Sequence, residues 1–108
     1  MILDENNEFI GTIGYVRISE YELNVGYRLL QPNARNKGYM TETLKLFVNY
    51  LFDSIPNIVR LSLHTASNNL PSKKLAEKCG FEFEGTMRKA YFYRGKIHDQ
   101  DVYSIIKE

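Results

Sequence analysis

The apolar residues keep a strand-like rhythm up to Leu30 and switch to a helical one just after residue 38. Residues 8–18 gather Phe9, Ile10, Thr12, Ile13, Tyr15, Val16 and Ile18, β-branched and aromatic types that suit a pleated surface. Ile2-Leu3 forms a short strand before a turn at residues 4–7, and the two segments read as a hairpin. Residues 22–30 alternate: Leu23, Val25, Tyr27 and Leu29 on one face, Glu22, Asn24, Arg28 and Leu30 on the other. That is a half-buried strand, antiparallel to the one before it, and Pro32 ends it. Gly11, Gly14 and Gly26 interrupt these strands and suggest bulges or a close backbone neighbour.

Over residues 39–53, Met40, Leu44, Phe47, Val48 and Leu51 fall on one helical stripe, and Pro56 stops the helix. A strand follows over residues 58–64. Strand, turn, helix and strand in that order make a βαβ unit, so this strand lies parallel to residues 22–30. Asn69 caps a second helix, with Pro71 tolerated in its first turn. Leu75, Ala76 and Cys79 point inward, and Gly80 stands just past the helix end. Residues 83–88 form a strand. Residues 90–93, the turn Arg94-Gly95 and residues 96–106 form a closing hairpin. The expected fold class is α+β, an α/β sandwich: a mixed, mostly antiparallel sheet with a central parallel βαβ unit and two main helices, in one domain spanning 1–108.

Composition narrows the function. A net charge of +1 over 108 residues, without an aromatic-basic run, argues against nucleic acid or an anionic membrane as partner. One cysteine excludes an internal disulfide, and no Cys/His cluster has metal-ligand spacing, so no metal is expected. No signal peptide or membrane-spanning run is visible, and a cytoplasmic setting is the expectation.

The chemistry centres on residues 30–41, Leu-Gln-Pro-Asn-Ala-Arg-Asn-Lys-Gly-Tyr-Met-Thr. Two cations and a glycine lead straight into a helix, whose first N–H groups and dipole attract a phosphate. Alone, such a turn reads more readily as a solvated basic turn with an ordinary glycine.

Arg35-x-x-Gly38-x-Met40 resembles the Q/R-x-x-G-x-G/A pyrophosphate loop of the Gcn5-related N-acetyltransferases (GNAT). Asn69-Leu70-Pro71-Ser72 followed by Glu77-Lys78-Cys79-Gly80-Phe81 resembles that family's N-x-x-S…E-K-x-G-F helix. Residues 84–88, Gly95-Lys96-x-His98-Asp99 and Tyr103-Ser104 look like the C-terminal hairpin of the subgroup that acetylates ribosomal-protein N-termini. The resemblance runs from about Ile2 to Ile106. It implies an acyl-CoA N-acyltransferase fold, here short of the family's N-terminal strand and two helices, and acetyl-CoA as acetyl donor.

The resemblance also implies roles. Backbone N–H groups of Asn36, Lys37, Gly38, Tyr39, Met40 and Thr41 would bind the pyrophosphate, with Arg35 and Lys37 adding charge. If strands 22–30 and 58–64 splay apart beyond Gly26, their edges would pair with the pantetheine, Leu30 being the foremost backbone contact. Asn69 would touch the cofactor, or serve as a plain cap. Ser72 could protonate the departing thiolate. Glu22 and Asn24, on one strand face, could hold the water chain that takes the amine's proton, although Glu22 reads more readily as a surface carboxylate. Tyr91 and Tyr93 would line the acceptor side, or simply form a cross-strand pair; His64, His98 and Cys79 read as structural.

Three positions depart from the family pattern: Met40 ends the loop, Ala76 replaces a proton-donating tyrosine, and Asn24 replaces an acid. Two functions compete. One is an N-acetyltransferase acting on a small-molecule amine or a protein N-terminus. The other is an acyl-CoA-binding half-domain without its own acceptor wall. A short chain would expose apolar surface, so a homodimer is expected.

Overall fold

The computed structural model describes residues 2–3, 9–29 and 39–107. Its elements run β1 (Ile2–Leu3), β2 (Phe9–Arg17), β3 (Glu22–Leu29), α1 (Tyr39–Ser54), β4 (Arg60–Ala66), α2 (Leu70–Lys78), β5 (Glu82–Tyr93) and β6 (Lys96–Ile106). The strands form one sheet in the order β1-β2-β3-β4-β6-β5. Every neighbouring pair is antiparallel except β3–β4, which the βαβ rule made parallel.

Alternation along the strands sorts the sheet into two faces. Leu23 and Val25 on β3, Leu61 and Leu63 on β4 and Tyr103 on β6 share one face. They pack in one buried cluster with Leu44, Val48 and Leu51 of α1 and Ala76 and Cys79 of α2. Both helices therefore cover the same face, giving the expected two-layer sandwich. Each fully buried leucine of this cluster contributes roughly 1.5–3 kcal/mol of transfer free energy. The Phe47 ring on α1 reaches Tyr15 on β2, with centroids 6.3 Å apart, and extends the layer. Glu22, Asn24, Arg60, Ser62 and Ser104 lie on the opposite face.

Several expectations are corrected. Gly14 and Gly26 are not bulges: they face each other in an unbroken β2–β3 ladder, and a Cβ on either would meet nothing within 4 Å. Gly11 pairs with Leu29 in that ladder, while on its other edge the expected bulge is present: Ile2 faces Gly11 and Leu3 faces Phe9, leaving Ile10 as an extra residue of β2. The strand expected at residues 58–64 begins two residues later, at Arg60. Asn57 takes a positive φ of 70°, and Ile58 drops into the core from the connection rather than from the strand. The strand at 83–88 and the segment at 90–93 are one strand, β5, irregular between Met87 and Tyr91. Arg94 (φ 50°) and Gly95 (φ 76°) make the two-residue turn with both residues left-handed, as a tight hairpin demands.

Candidate active site

The β3–β4 ladder has three rungs: Glu22↔Arg60, Leu23↔Leu61 and Asn24↔Ser62. Beyond Asn24, β3 follows β2 out to its end at Leu29. Beyond Ser62, β4 follows β6 as far as Ala66. A fork thus opens between the two strands from Val25 and Leu63 onward, two residues earlier than expected. Two strand edges facing across a fork suit a linear ligand carrying amides, because an extended chain can pair with exposed backbone as an added strand.

The first turn of α2 stands at this fork. Asn69 caps the helix, its Oδ1 accepting from the Ser72 backbone N–H at 3.2 Å. Ser72 Oγ lies 2.5 Å from the hydroxyl of Tyr27, a β3 residue three positions past the last rung. This hydroxyl pair joins the strand wall to the helix wall. Ala76, one turn further along α2, is fully buried and brings no protic group.

A buried carboxylate fastens the same turn. Asp101 on β6 is only 2% exposed. Its Oδ1 accepts from Ser67 Oγ (2.6 Å) and Thr86 Oγ1 (2.8 Å), and its Oδ2 from Lys73 Nζ (3.0 Å). Lys73 Nζ also donates to the Ser67 carbonyl at 3.2 Å. Burial pushes the Asp101 carboxyl up, but the hydrogen bonds from Ser67, Thr86 and Lys73 together outweigh it and hold the group below its usual range. The Asp101 hydrogen bond raises the Lys73 ammonium in turn.

On the face away from the helices, Asn24 Nδ2 donates to Ser62 Oγ at 3.1 Å across the last rung. Glu22 pairs with Arg60 Nε at 3.2 Å. Arg60 also holds Glu84 in a two-pronged contact of 2.8 and 2.6 Å, and Ser104 Oγ donates to the same carboxylate at 2.8 Å. The Arg60 hydrogen bonds, then that of Ser104, pull the Glu84 carboxyl down to about 2. Hydrogen bonding to Glu84 raises the Arg60 guanidinium. Glu22 and Asn24 thus share a face, as the alternation required, and each is already engaged by a neighbour.

The remaining candidates are placed as follows. Tyr39 opens α1, Met40 is buried under it, and the Thr41 carbonyl accepts from Cys79 Sγ at 3.5 Å, tying α2's end to α1's start. Leu30, Arg35, Asn36, Lys37 and Gly38 lie outside the described residues. Tyr91 and Tyr93 stack along one strand, centroids 5.9 Å apart, and so are not a cross-strand pair; their partners across the hairpin are His98 and Lys96. Among the described residues no group of three His, Cys, Asp or Glu could hold a metal ion, and no helix is long and apolar enough to cross a membrane. The sequence reading missed Tyr27, Lys73, Asp101 and the Arg60–Glu84 pair. Tyr27 falls on the apolar stripe of its strand, Arg60 and Glu84 meet only through the sheet register, and Lys73 reaches Asp101 only where α2 packs on the sheet.

Comparison with known proteins adds a family. Residues 1–82 match the acetyltransferase (GNAT) domain family. The chain is 30% identical over 105 residues to the uncharacterized N-acetyltransferase YoaA of Bacillus subtilis, covering 95% of this chain and 58% of that protein. It is 25% identical over 100 residues to the spermidine N(1)-acetyltransferase of Vibrio cholerae, covering 92% and 57%. The structure of the microcin C7 self-immunity acetyltransferase MccE, in complex with acetyl-CoA and AMP, superposes with a TM-score of 0.83 at 27% identity, covering 93% and 56%. The chain therefore spans less than three-fifths of the length of each of these proteins.

Proposed function

The chain belongs to the GNAT acetyltransferase family, and from that premise we propose that it moves the acetyl group of acetyl-CoA to a primary amine, a small-molecule amine or a protein N-terminus, by direct attack in a ternary complex. The observation that carries the reading is the fork beyond Asn24↔Ser62, with the capped first turn of α2 beside it. Its residues fit the donor: open strand edges for the pantetheine amides, and the start of α1 at Tyr39, directly after the basic loop, for the pyrophosphate. Bound there, acetyl-CoA supplies a thioester carbonyl for attack by the amine.

The chain's own residues supply the rest. Arg35, Lys37 and the backbone from Asn36 to Thr41 hold the diphosphate charge. Leu30 offers a backbone contact, and Asn69 adds a polar side chain. An acceptor ammonium, with a pKa of roughly 8 for an α-amine and roughly 10 for lysine, must first lose a proton. Glu22 and Asn24, at the base of the fork on the uncovered face, hold water for that transfer. A backbone N–H of β3 meets the oxyanion, and Ser72 returns a proton to the sulfur. A cytoplasmic setting, action as one domain over 1–108 and pairing of two copies belong to the same proposal.

The test is calorimetry with acetyl-CoA, followed by CoA release with peptide N-termini, polyamines and aminoglycosides. Binding with turnover supports the reading, and Gly38→Glu should abolish binding by placing a carboxylate in the anion socket. Binding without turnover favours the half-domain alternative, to which the protonless Ala76 points. Absence of binding overturns both.

A further inference from the structure

We propose that Tyr27 is the positioning and proton-supplying partner of Ser72, the phenol behind the hydroxyl that faces the departing sulfur. The inference rests on the acetyltransferase reading above and deepens its least equipped step. Ser72 alone is a poor acid, because an alkoxide is a far stronger base than a thiolate. A phenol, with a pKa of about 10, stands much nearer to a thiol at about 8.5. A hydroxyl pair at 2.5 Å couples the two, so the proton Ser72 gives away is replaced from Tyr27.

The placement favours that role. Tyr27 comes from β3 beyond the last rung and Ser72 from the first turn of α2, so the pair ties β3 to the helix that stands at the fork. Ser72 is held still on its own side: Asn69 takes its backbone N–H, and the next residue, Lys73, is anchored to buried Asp101. Ala76 leaves α2 without another protic group one turn on.

The step balances. A C–N bond forms and the C–S bond breaks. The sulfur takes the Ser72 proton, Ser72 takes the Tyr27 proton, and the phenolate recovers one from water. The proton that the amine releases makes good, in net terms, the one that water gives up. No oxidant or further reactant is needed.

The test reads the thiol directly. CoA bound to the protein is titrated by the ultraviolet absorbance of its thiolate, in the native chain and in Tyr27→Phe, Ser72→Ala and the double variant. Two hydroxyls in series should lower the bound thiol's midpoint below that of free CoA. Tyr27→Phe should raise it by about one pH unit, a tenfold change in thiolate share. Ser72→Ala should raise it at least as far, and the double variant no further than Ser72→Ala, since the effect of Tyr27 passes through Ser72. Where turnover is found, kcat for Tyr27→Phe should fall with KM for acetyl-CoA unchanged.

Phenylalanine keeps the ring, so a merely structural Tyr27 would leave the midpoint where it was; that result, or additive shifts, overturns the inference alone. Should Tyr27→Phe fail to fold, Ser72→Ala still reads the pair, and a bound thiol titrating like free CoA in the native chain overturns it. Failure of CoA to bind at all overturns the acetyltransferase reading as well.

Discussion

Arg60 stands between two carboxylates, and its contacts make stability depend on acid. Glu84 titrates near 2 in the fold against an ordinary 4.5, because Arg60 and Ser104 favour its charged form. A carboxyl with a depressed pKa stabilises the fold at every pH above its ordinary value, and that contribution drains away as the pH falls from 4.5 toward 2. Asp101, also lowered, acts in the same direction. Urea midpoints measured between neutral pH and pH near 3 should therefore fall for the native chain and fall less for Glu84→Gln; equal slopes would remove Glu84 from the account. Asp101→Asn keeps the shape but weakens three contacts on a buried group, and should cost about 1–3 kcal/mol at neutral pH. At this scale the sequence was a partial guide. Asn69 as a cap was readable from its own neighbours, whereas nothing beside Asp101 or Glu84 in the sequence marks either as engaged. What engages them arrives from β4, the connection after it, α2, β5 and β6, out of reach of any local pattern.

Helix α2 shows what local signals can specify. Its start, its cap and its stop were all legible: Asn69, Pro71 in the first turn, and Gly80 at φ 89°. Gly80→Ala should cost about 1–2 kcal/mol, chiefly by forcing a Cβ into a left-handed backbone, since Ile105 Cδ1 at 3.5 Å is only an ordinary contact. Asn69→Ala should cost about 0.5–2 kcal/mol, and Asn69→Ser should recover most of it. No described residue accepts from Asn69 Nδ2. If that amide serves the cofactor, serine restores thermal stability without restoring acetyl-CoA affinity; recovery of both would leave Asn69 as a cap only. The elements that escaped the sequence are those fixed by a partner strand. In β5 the irregularity at Glu84, between Phe83 and Gly85, belongs to the pairing with β6, as does the left-handed Lys89 whose N–H donates to Asp99 at 2.9 Å.

For the whole molecule, the three rungs between β3 and β4 are the only ladder joining two antiparallel halves, β1-β2-β3 and β4-β6-β5, among the described residues. So short a parallel ladder is a weak seam, and the fork proposed for acetyl-CoA requires it to be short. The halves are held instead by the helix layer. Leu44, Val48 and Leu51 of α1 pack in one cluster with Leu23 and Val25 from one half and Leu61 and Leu63 from the other. The helical stripe and the alternation of β3 made the α1 and β3 members of that cluster foreseeable residue by residue. The length of the ladder was not foreseeable, because where two strands part depends on the twist of the whole sheet. If α1 is the clasp, the halves unfold together. Far-ultraviolet circular dichroism, which reads the sheet and helices, and tyrosine fluorescence, which reads rings in both halves, should give coincident urea transitions. Leu51→Ala, at a fully buried position, should lower the midpoint by the equivalent of about 2–5 kcal/mol while both probes still coincide. Transitions that separate in the native chain would mean that each half is stable by itself and that the seam, not the helix, sets the cooperativity.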